Sequence, residues 1–129
     1  MDDILQGLNP NQKKAVTHTG SPLLLLAGAG SGKTRVLTHR VSYLIKKNIA
    51  KPSEILLLTF TNKAAEEMKK RTSKLLSHLD KKDWGTFFAG TFHSFCCRVL
   101  RADGQSIGVP SSYVIYDSND QESLVKRVL

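Results

Sequence analysis

One short segment near the start of the chain has the residue types and spacing of a phosphate-binding loop. It consists of Ala27, Gly28, Ala29, Gly30, Ser31, Gly32, Lys33 and Thr34. Phosphate oxygens need several convergent donors, and successive backbone N–H groups at the start of a helix supply them. The interspersed glycines let the backbone curl and let a phosphate approach closely. We therefore predict that this loop binds the phosphates of a nucleoside triphosphate.

Two side chains at the end of the loop would act on the bound phosphates. Lys33 brings a positive charge to the β- and γ-phosphates, and Thr34 offers a hydroxyl to Mg²⁺. They are the predicted catalytic residues, and Thr34 is the predicted metal ligand. The strict pattern begins with Gly where this chain has Ala27, which a position at the end of a strand can tolerate. The alternative, a glycine-rich turn without a ligand, is disfavoured by the intact Gly-Lys-Thr ending.

Strands and helices that alternate along the chain would position this loop. Apolar runs predict strands at residues 23–27, 54–60, 87–92 and 113–116, and periodic patterns predict helices at 33–46, 62–79 and 94–102, with one more at the end. Strands that are apolar throughout are typical of a parallel sheet covered by helices on both faces. Phosphate ligands of such α/β sheets bind at the carboxyl ends of the strands, where the glycines lie.

Helix caps and acidic residues refine this pattern. Asn9 and Gln12 form a capping box around an opening helix, and Ser118 with Gln121 repeats the device in the last one. Asp117 is the acidic residue that directly follows an apolar strand, but its polar neighbours favour a capping role over a metal-binding role. No Asp-Glu pair follows any predicted strand, so we expect the carboxylate half of a hydrolytic site to be absent from this chain.

Composition narrows the class of partner. The 129 residues carry a formal charge of +8, from 19 Lys and Arg against 11 Asp and Glu, which favours a polyanion such as nucleic acid. The adjacent Cys96 and Cys97 cannot form an unstrained disulfide with each other and are expected to be reduced within a helix. No signal peptide is visible, and the longest apolar run is too short to cross a bilayer. We therefore expect a cytoplasmic protein without a membrane partner.

Together with three further segments, the loop resembles the UvrD/PcrA/Rep family of superfamily I DNA helicases. Residues 8–12 (Leu-Asn-Pro-Asn-Gln) are similar to the family's adenine-reading motif. There, the Gln12 amide would hydrogen-bond the base and favour ATP over GTP. The capping role of Gln12 stays open beside this one, and both can hold if the side chain turns toward the base. Arg35 also matches a family position near the nucleotide.

The second segment, residues 58–68, resembles the family's motif Ia. By this resemblance Phe60 stacks on an unpaired base, while Thr61 and Asn62 hold phosphate or sugar; aromatic stacking grips single strands without sequence preference. From the residues alone, Phe60 would be a core residue and Asn62 a helix cap. The resemblance makes DNA contact the favoured interpretation.

The third segment, residues 90–95, is similar to the family's Thr-Phe-His-Ser motif. The resemblance implies that this loop faces DNA, which makes Thr91 and His93 candidate contacts. Phe92 and Phe95 are expected to pack inside. Without the resemblance, a single His after a strand would be interpreted as a structural histidine.

The resemblance covers nearly the whole chain and implies a partial RecA-like nucleoside-triphosphatase domain. Residues 1–116 would form the N-terminal part of the first motor domain, and residues 117–129 would begin its inserted helical subdomain. The implied activity is an ATP-dependent, Mg²⁺-requiring 3′–5′ helicase on single-stranded DNA and its junctions with duplex, of a kind that serves DNA repair. The family's acidic metal motif and second motor domain lie downstream, so we expect this chain alone to lack efficient turnover.

Two alternatives remain at this point. One is a helicase–nuclease subunit of the same superfamily, which would show a nuclease domain or a very long parent chain. The other is a nucleotide-binding or DNA-binding module with no motor function. Binding of DNA that ignores ATP would favour that second alternative.

Overall fold

The helices and strands alternate in the order expected from the sequence. In the computed structural model, which describes residues 3–28, 30–77 and 86–129, they are α1 (Pro10–Thr17), α2 (Lys33–Lys46), β1 (Leu56–Thr59), α3 (Asn62–Leu75), β2 (Phe88–Thr91), α4 (Phe92–Asp103) and α5 (Ser118–Val128). Short 3₁₀ turns occupy Asp3–Leu5, Pro52–Glu54 and Gly104–Ile107. The chain divides into two units, Met1–Phe92 and His93–Leu129.

β1 and β2 form a two-stranded parallel sheet in the first unit. Leu56 lies opposite Phe88 and Thr59 lies opposite Thr91. Parallel neighbours need a crossover connection, and α3 lies within the connection between these two strands. Because both strands run the same way, both carboxyl ends lie at one edge of the sheet. The predicted α/β class and the parallel pairing are therefore confirmed in this small sheet.

Two of the predicted strands do not form. Residues 23–27 and 113–116 have no strand structure, and Leu24 and Leu26 are 81% and 85% exposed. A strand exists only as part of a hydrogen-bonded ladder, and within the described residues the ladder joins β1 and β2 alone. The apolar run at residues 23–27 indicated burial, but this segment has no neighbouring strand to pair with among the described residues. The prediction of a buried strand before the loop is wrong for this structure.

The core of the first unit has two neighbouring parts. One joins the sheet with α2 and α3, and it contains Ile4, Val41, Ile45, Leu57, Met68, Leu76 and Ala89. The other packs α1 against α2 through Leu8, Ala15, Val16 and Val36. Tyr43 packs against both clusters and so connects them. α2 is therefore held on both sides, which fixes the helix that the phosphate loop precedes.

Most helix boundaries agree with the predictions. α2 spans the predicted residues, and α3 begins at Asn62 as predicted but ends at Leu75, while residues 78 and 79 of that prediction lie outside the described part of the chain. Asn9 and Gln12 form the predicted capping box. The cap of α5 is Asp117 with Asp120, one residue before the predicted Ser118 and Gln121. The capping role predicted for Asp117 is thus confirmed.

The second unit consists of α4, a 3₁₀ turn and α5. The hydroxyl of Tyr113 donates to the Cys97 carbonyl at 3.1 Å, and the Arg101 guanidinium lies 5.7 Å from the centre of the Tyr113 ring. Cys96 and Cys97 are both free thiols within α4, as predicted. No helix among the described residues is long and apolar enough to cross a membrane.

Candidate nucleotide-binding site and aromatic surface

The phosphate loop turns sharply into α2 at glycines with left-handed backbone angles. Gly30 has φ 73° and Gly32, the N-cap of α2, has φ 90°. Residues with a Cβ rarely adopt these angles. Ala29, which lies between the predicted glycines, is outside the described residues. Two of the three predicted loop glycines therefore adopt backbone angles that favour glycine.

The start of α2 presents backbone donors toward the loop. The first helical hydrogen bond runs from the Val36 N–H to the Gly32 carbonyl at 3.0 Å, and no side chain among the described residues caps this helix end. The amides of Lys33, Thr34 and Arg35 precede that bond and have no acceptor within the helix. Unpaired amides at the positive end of a helix dipole are suited to an anion.

The Lys33 side chain lies across its own loop. Its Nζ donates to the carbonyls of Ala27 at 2.8 Å and Gly28 at 2.7 Å. The Ser31 hydroxyl donates to the same Gly28 carbonyl at 2.6 Å, and the Ser31 N–H lies 3.3 Å from it. The lysine charge is thus held at the loop by neutral carbonyls, where the negative oxygens of a phosphate would be stronger acceptors.

Gln12 joins the segment at residues 8–12 to the phosphate loop. Its Oε1 accepts from the Asn9 N–H at 3.1 Å, while its Nε2 donates to the Ser31 carbonyl at 3.3 Å. A Cβ atom at Gly32 would come within 2.8 Å of the same Nε2. The capping role of Gln12 is confirmed. The same amide also places two separately predicted nucleotide-binding segments side by side.

Arg35 points away from the loop and toward the start of the chain. A Cβ atom at Gly7 would come within 2.8 Å of one terminal nitrogen of the Arg35 guanidinium. Arg35 also lines a cavity of about 460 Å³, together with His39, Arg71 and Lys74 among others. The structure thus places Arg35 one residue beyond Thr34 but beside α2 and α3 rather than over the phosphate loop.

The donor set for Mg²⁺ is incomplete within the described residues. Thr34, the predicted metal ligand, is half-buried in the first turn of α2 and directly follows Lys33. No cluster of three or more His, Cys, Asp or Glu side chains occurs in the part of the chain that is described. Both acceptor contacts of the Asp117 carboxylate go to the amides of Asn119 and Asp120. Among the described residues, the candidate protein ligand for the metal is therefore the Thr34 hydroxyl.

The end of β1 exposes the residues of the second predicted DNA-contact segment. Phe60 is 93% exposed, which excludes its alternative role as a core residue. Thr61 caps α3, since its hydroxyl accepts from the Ala64 N–H at 3.1 Å. Asn62 is exposed and is the first residue of the helix rather than its cap. The side chains of Phe60 and Asn62 are therefore available to a partner.

The end of β2 carries the third segment. Thr91 is the last, half-buried residue of the strand, and His93 is an exposed residue in the first turn of α4. Phe92 was predicted to pack inside, and this prediction is wrong, because its side chain is 50% exposed. The ring lies beside that of Phe60, with centroids 6.0 Å apart and planes at 42°. Phe95 is half-buried.

Sequence patterns missed one side chain that supports the site. The Nη1 of Arg40, a residue of α2, donates to the carbonyls of Ala15, Val16 and His18 at 2.9, 3.3 and 2.7 Å. These carbonyls belong to the end of α1, whose start carries Gln12. Helix ends leave such carbonyls without partners. The signal available in the sequence was an Arg within the helix that follows α1.

Comparison with known proteins agrees with the predicted resemblance. Over 129 residues the chain is 47% identical to "ATP-dependent DNA helicase PcrA" of Staphylococcus aureus and 46% identical to the protein of that name from Staphylococcus epidermidis. Each match covers 100% of this chain and 17% of the relative. The chain thus spans about a sixth of the length of these relatives.

The family assignment rests on a match that includes all of these segments. Residues 8–129 match the family described as "UvrD/REP helicase N-terminal domain". This range begins at the Gln12 segment and contains the phosphate loop and both strand ends. The chain therefore belongs to the family of UvrD/REP helicase N-terminal domains.

Proposed function

We propose that this chain is the ATP-binding N-terminal segment of a DNA helicase that moves 3′ to 5′ along single-stranded DNA and acts at its junctions with duplex. The observation that carries the proposal is the phosphate loop at the uncapped start of α2, tied by Gln12 to the adjacent segment. Family membership and relatives named "ATP-dependent DNA helicase" support the reaction class. The direction rests on the family resemblance. So do the RecA-like fold of the first motor domain and the boundary between residues 1–116 and 117–129. The cytoplasmic location rests on the expectation from the two reduced cysteines, Cys96 and Cys97.

ATP binds through the loop and the first turn of α2. The γ- and β-phosphates replace the Ala27 and Gly28 carbonyls as acceptors for the Lys33 ammonium, because charged oxygens are the better acceptors. The amides at the start of α2 donate to the same phosphates. Gln12 reads the base with an amide that already lies at the loop. The contact of Arg35 with the nucleotide rests on the family resemblance alone, since its guanidinium lies toward Gly7 in this structure.

Thr34 would hold Mg²⁺ through its hydroxyl in this proposal, and the bound metal would supply positive charge that offsets the charge developing during hydrolysis. Thr34 is fixed for this role by its place in the first turn of a helix whose far side is in the core. Asp117 takes no part, since its carboxylate caps α5. Lys33 stabilises negative charge on the transferring phosphoryl group.

Single-stranded DNA binds at the exposed ends of β1 and β2 and the helices that follow. Phe60 stacks on an unpaired base, and Thr61 and Asn62 contact phosphate or sugar. Thr91, at the end of β2, and His93, in the first turn of α4, contribute as well. The chain's charge of +8 favours the approach of a polyanion. In the complete protein, ATP binding and hydrolysis close and open a cleft between two motor domains, so that each cycle advances the strand.

The deciding measurement is ATP hydrolysis by the complete natural protein, with and without a single-stranded oligonucleotide. We expect strong stimulation by the strand, and its loss in Lys33→Ala with the fold retained by circular dichroism. Lys51→Ala, which removes an exposed lysine before β1, is the matched control and should keep the activity. Hydrolysis that persists in Lys33→Ala would disprove the role of the loop. Hydrolysis that is indifferent to DNA would disprove the helicase assignment and leave a DNA-independent ATPase.

A further inference from the structure

We propose that Phe92 is a DNA-contact residue, and that its ring and the ring of Phe60 form one stacking platform for unpaired bases. We call this pair the aromatic platform. The inference rests on the proposed function, because it names a further residue that grips the strand. It assigns to Phe92 a role opposite to the buried one that its sequence context predicts.

The exposure of the two rings is the first argument. Phe60 is 93% exposed and Phe92 is 50% exposed, although each could remove a large apolar surface from water if it packed inside. Neither ring belongs to a buried cluster of the first unit. Adjacent exposed aromatic side chains are uncommon on a surface that has no partner. The flat face of an unpaired base would cover the exposed surface of these rings.

The strand register explains why the rings are neighbours. Thr59 and Thr91 lie opposite each other as the last residues of β1 and β2. Phe60 and Phe92 directly follow these two threonines in the sequence. Helix starts follow both strand ends, at Asn62 and at Phe92 itself. The parallel sheet therefore brings the two aromatic positions to one edge with little freedom to separate.

The ring geometry defines how a base would bind. The centroids are 6.0 Å apart with a 42° tilt, a separation at which aromatic rings contact each other directly. A base consequently cannot insert between the rings and must stack on their outer surface. The tilt lets one base lie on Phe60 while the edge of Phe92 supports it or its neighbour along the strand.

Neighbouring polar groups select a nucleic acid rather than an apolar partner. Thr61, Asn62 and Lys63 follow Phe60 directly, and all are exposed. An ammonium and an amide beside two aromatic rings match the alternation of charged phosphate and flat base along a single strand. A purely apolar occupant would leave these groups without partners.

The test measures binding of single-stranded DNA by the complete natural protein and its Phe60→Leu, Phe92→Leu and double variants. Leucine keeps the apolar character but removes the ring. We expect Phe92→Leu to weaken the binding of a thymidine oligonucleotide roughly tenfold, the effect of one lost stacking contact. The double variant should lose less than the product of the single losses, because the rings act on the same base. Ile49→Leu, at a 49% exposed position before β1, should bind as the wild type does.

An abasic oligonucleotide separates stacking from other causes. Its phosphates are intact, so Phe92→Leu should bind it no more weakly than the wild type does. An equal loss on normal and abasic strands would overturn the proposal and show that the substitution only disturbs the fold. Unchanged binding of the normal strand by Phe92→Leu would overturn it as well.

Photocrosslinking of the wild-type protein avoids any dependence on variant folding. An oligonucleotide containing 5-iododeoxyuridine reacts with aromatic rings that stack on it, and we expect crosslinked peptides at both Phe60 and Phe92. Crosslinks at Phe60 without Phe92 would overturn this inference while the proposed function stands. Failure of the wild-type protein to bind single-stranded DNA at all would instead overturn the proposed function.

Discussion

Gly32 has the most constrained position among the residues of the phosphate loop. Its φ of 90° is in the left-handed region, and a Cβ there would approach the Gln12 amide nitrogen to 2.8 Å. Gly28 lies in the same loop, without a left-handed φ and with open space around its Cβ direction. Gly32 therefore supplies a backbone angle that glycine adopts most easily, whereas Gly28 leaves room for a ligand.

Gly32→Ala should lower the free energy of unfolding by about 1–2 kcal/mol, the cost of a left-handed residue with a Cβ. Gly28→Ala is the matched control and should leave stability within about 0.5 kcal/mol of the wild type. Urea denaturation of both variants measures the difference. Equal stability of the two would show that the observed angle is not retained in solution.

The side chains of the site were predictable where their role depends on local chain order. The loop, the Asn9–Gln12 cap and the capping role of Asp117 all follow from residues close in sequence, and the structure contains them. The exposure of Phe92 was not predictable. It depends on β2 pairing with β1, which places Phe60 beside it, and no local pattern encodes that neighbour.

At the scale of elements, the guanidinium of Arg40 connects α2 to the end of α1 through hydrogen bonds. Arg40 is half-buried and donates to the carbonyls of Ala15, Val16 and His18, the last of which is the C-cap of α1. These bonds add to the apolar contacts between the two helices. The orientation of α1, and with it the approach of Gln12 to the loop, consequently depends on a residue of α2, the helix whose first turn carries Lys33 and Thr34.

Arg40→Ala should lower the free energy of unfolding by about 3 kcal/mol, because charged hydrogen bonds to carbonyls are lost in a part-buried place. The comparison variant is Arg71→Ala, which removes an arginine from an exposed ion pair with Glu67 on α3. Such pairs contribute about 0.3–0.5 kcal/mol. Chemical denaturation measures the free energy of unfolding of both variants. Similar decreases in the two would contradict the role of Arg40 in holding α1 against α2.

Helices were predicted better than strands for a physical reason. A helix satisfies its backbone within itself, so periodicity and caps nearly define it, as the boundaries of α2 illustrate. A strand needs a neighbour, which sequence periodicity does not supply. Residues 23–27 and 54–60 both read as apolar strands, yet only the second contains a strand, because it pairs with β2.

At the scale of the whole molecule, the chain carries an excess of 8 positive charges. Lys63 is exposed at the start of α3, in the segment that begins with Phe60. On the same helix, Lys69 is paired with Glu66 at 2.8 Å, a contact that lowers the pKa of Glu66. Cations near the platform would contact phosphates, whereas paired ones contribute little.

Lys63→Gln should weaken the binding of single-stranded DNA and reduce the slope of log affinity against log salt by about 0.7, the value for one phosphate contact. Lys51→Gln, at an exposed site before β1, should leave the slope unchanged. Titrations of the complete protein at several salt concentrations provide both slopes. Equal slopes for the two variants would show that Lys63 does not contact a phosphate of the bound strand.

The Gln12 amide, which we propose reads the base, already uses both of its polar atoms in hydrogen bonds. Its oxygen closes the first turn of α1 and its nitrogen holds the Ser31 carbonyl. A base that takes the oxygen leaves the Asn9 amide to water and loosens the helix start, at a cost of about 1 kcal/mol. A base that takes the nitrogen releases the loop instead. The hydrogen bond that is surrendered is the same for every base that takes that atom, so a tighter cap would weaken nucleotide binding without changing which base is preferred.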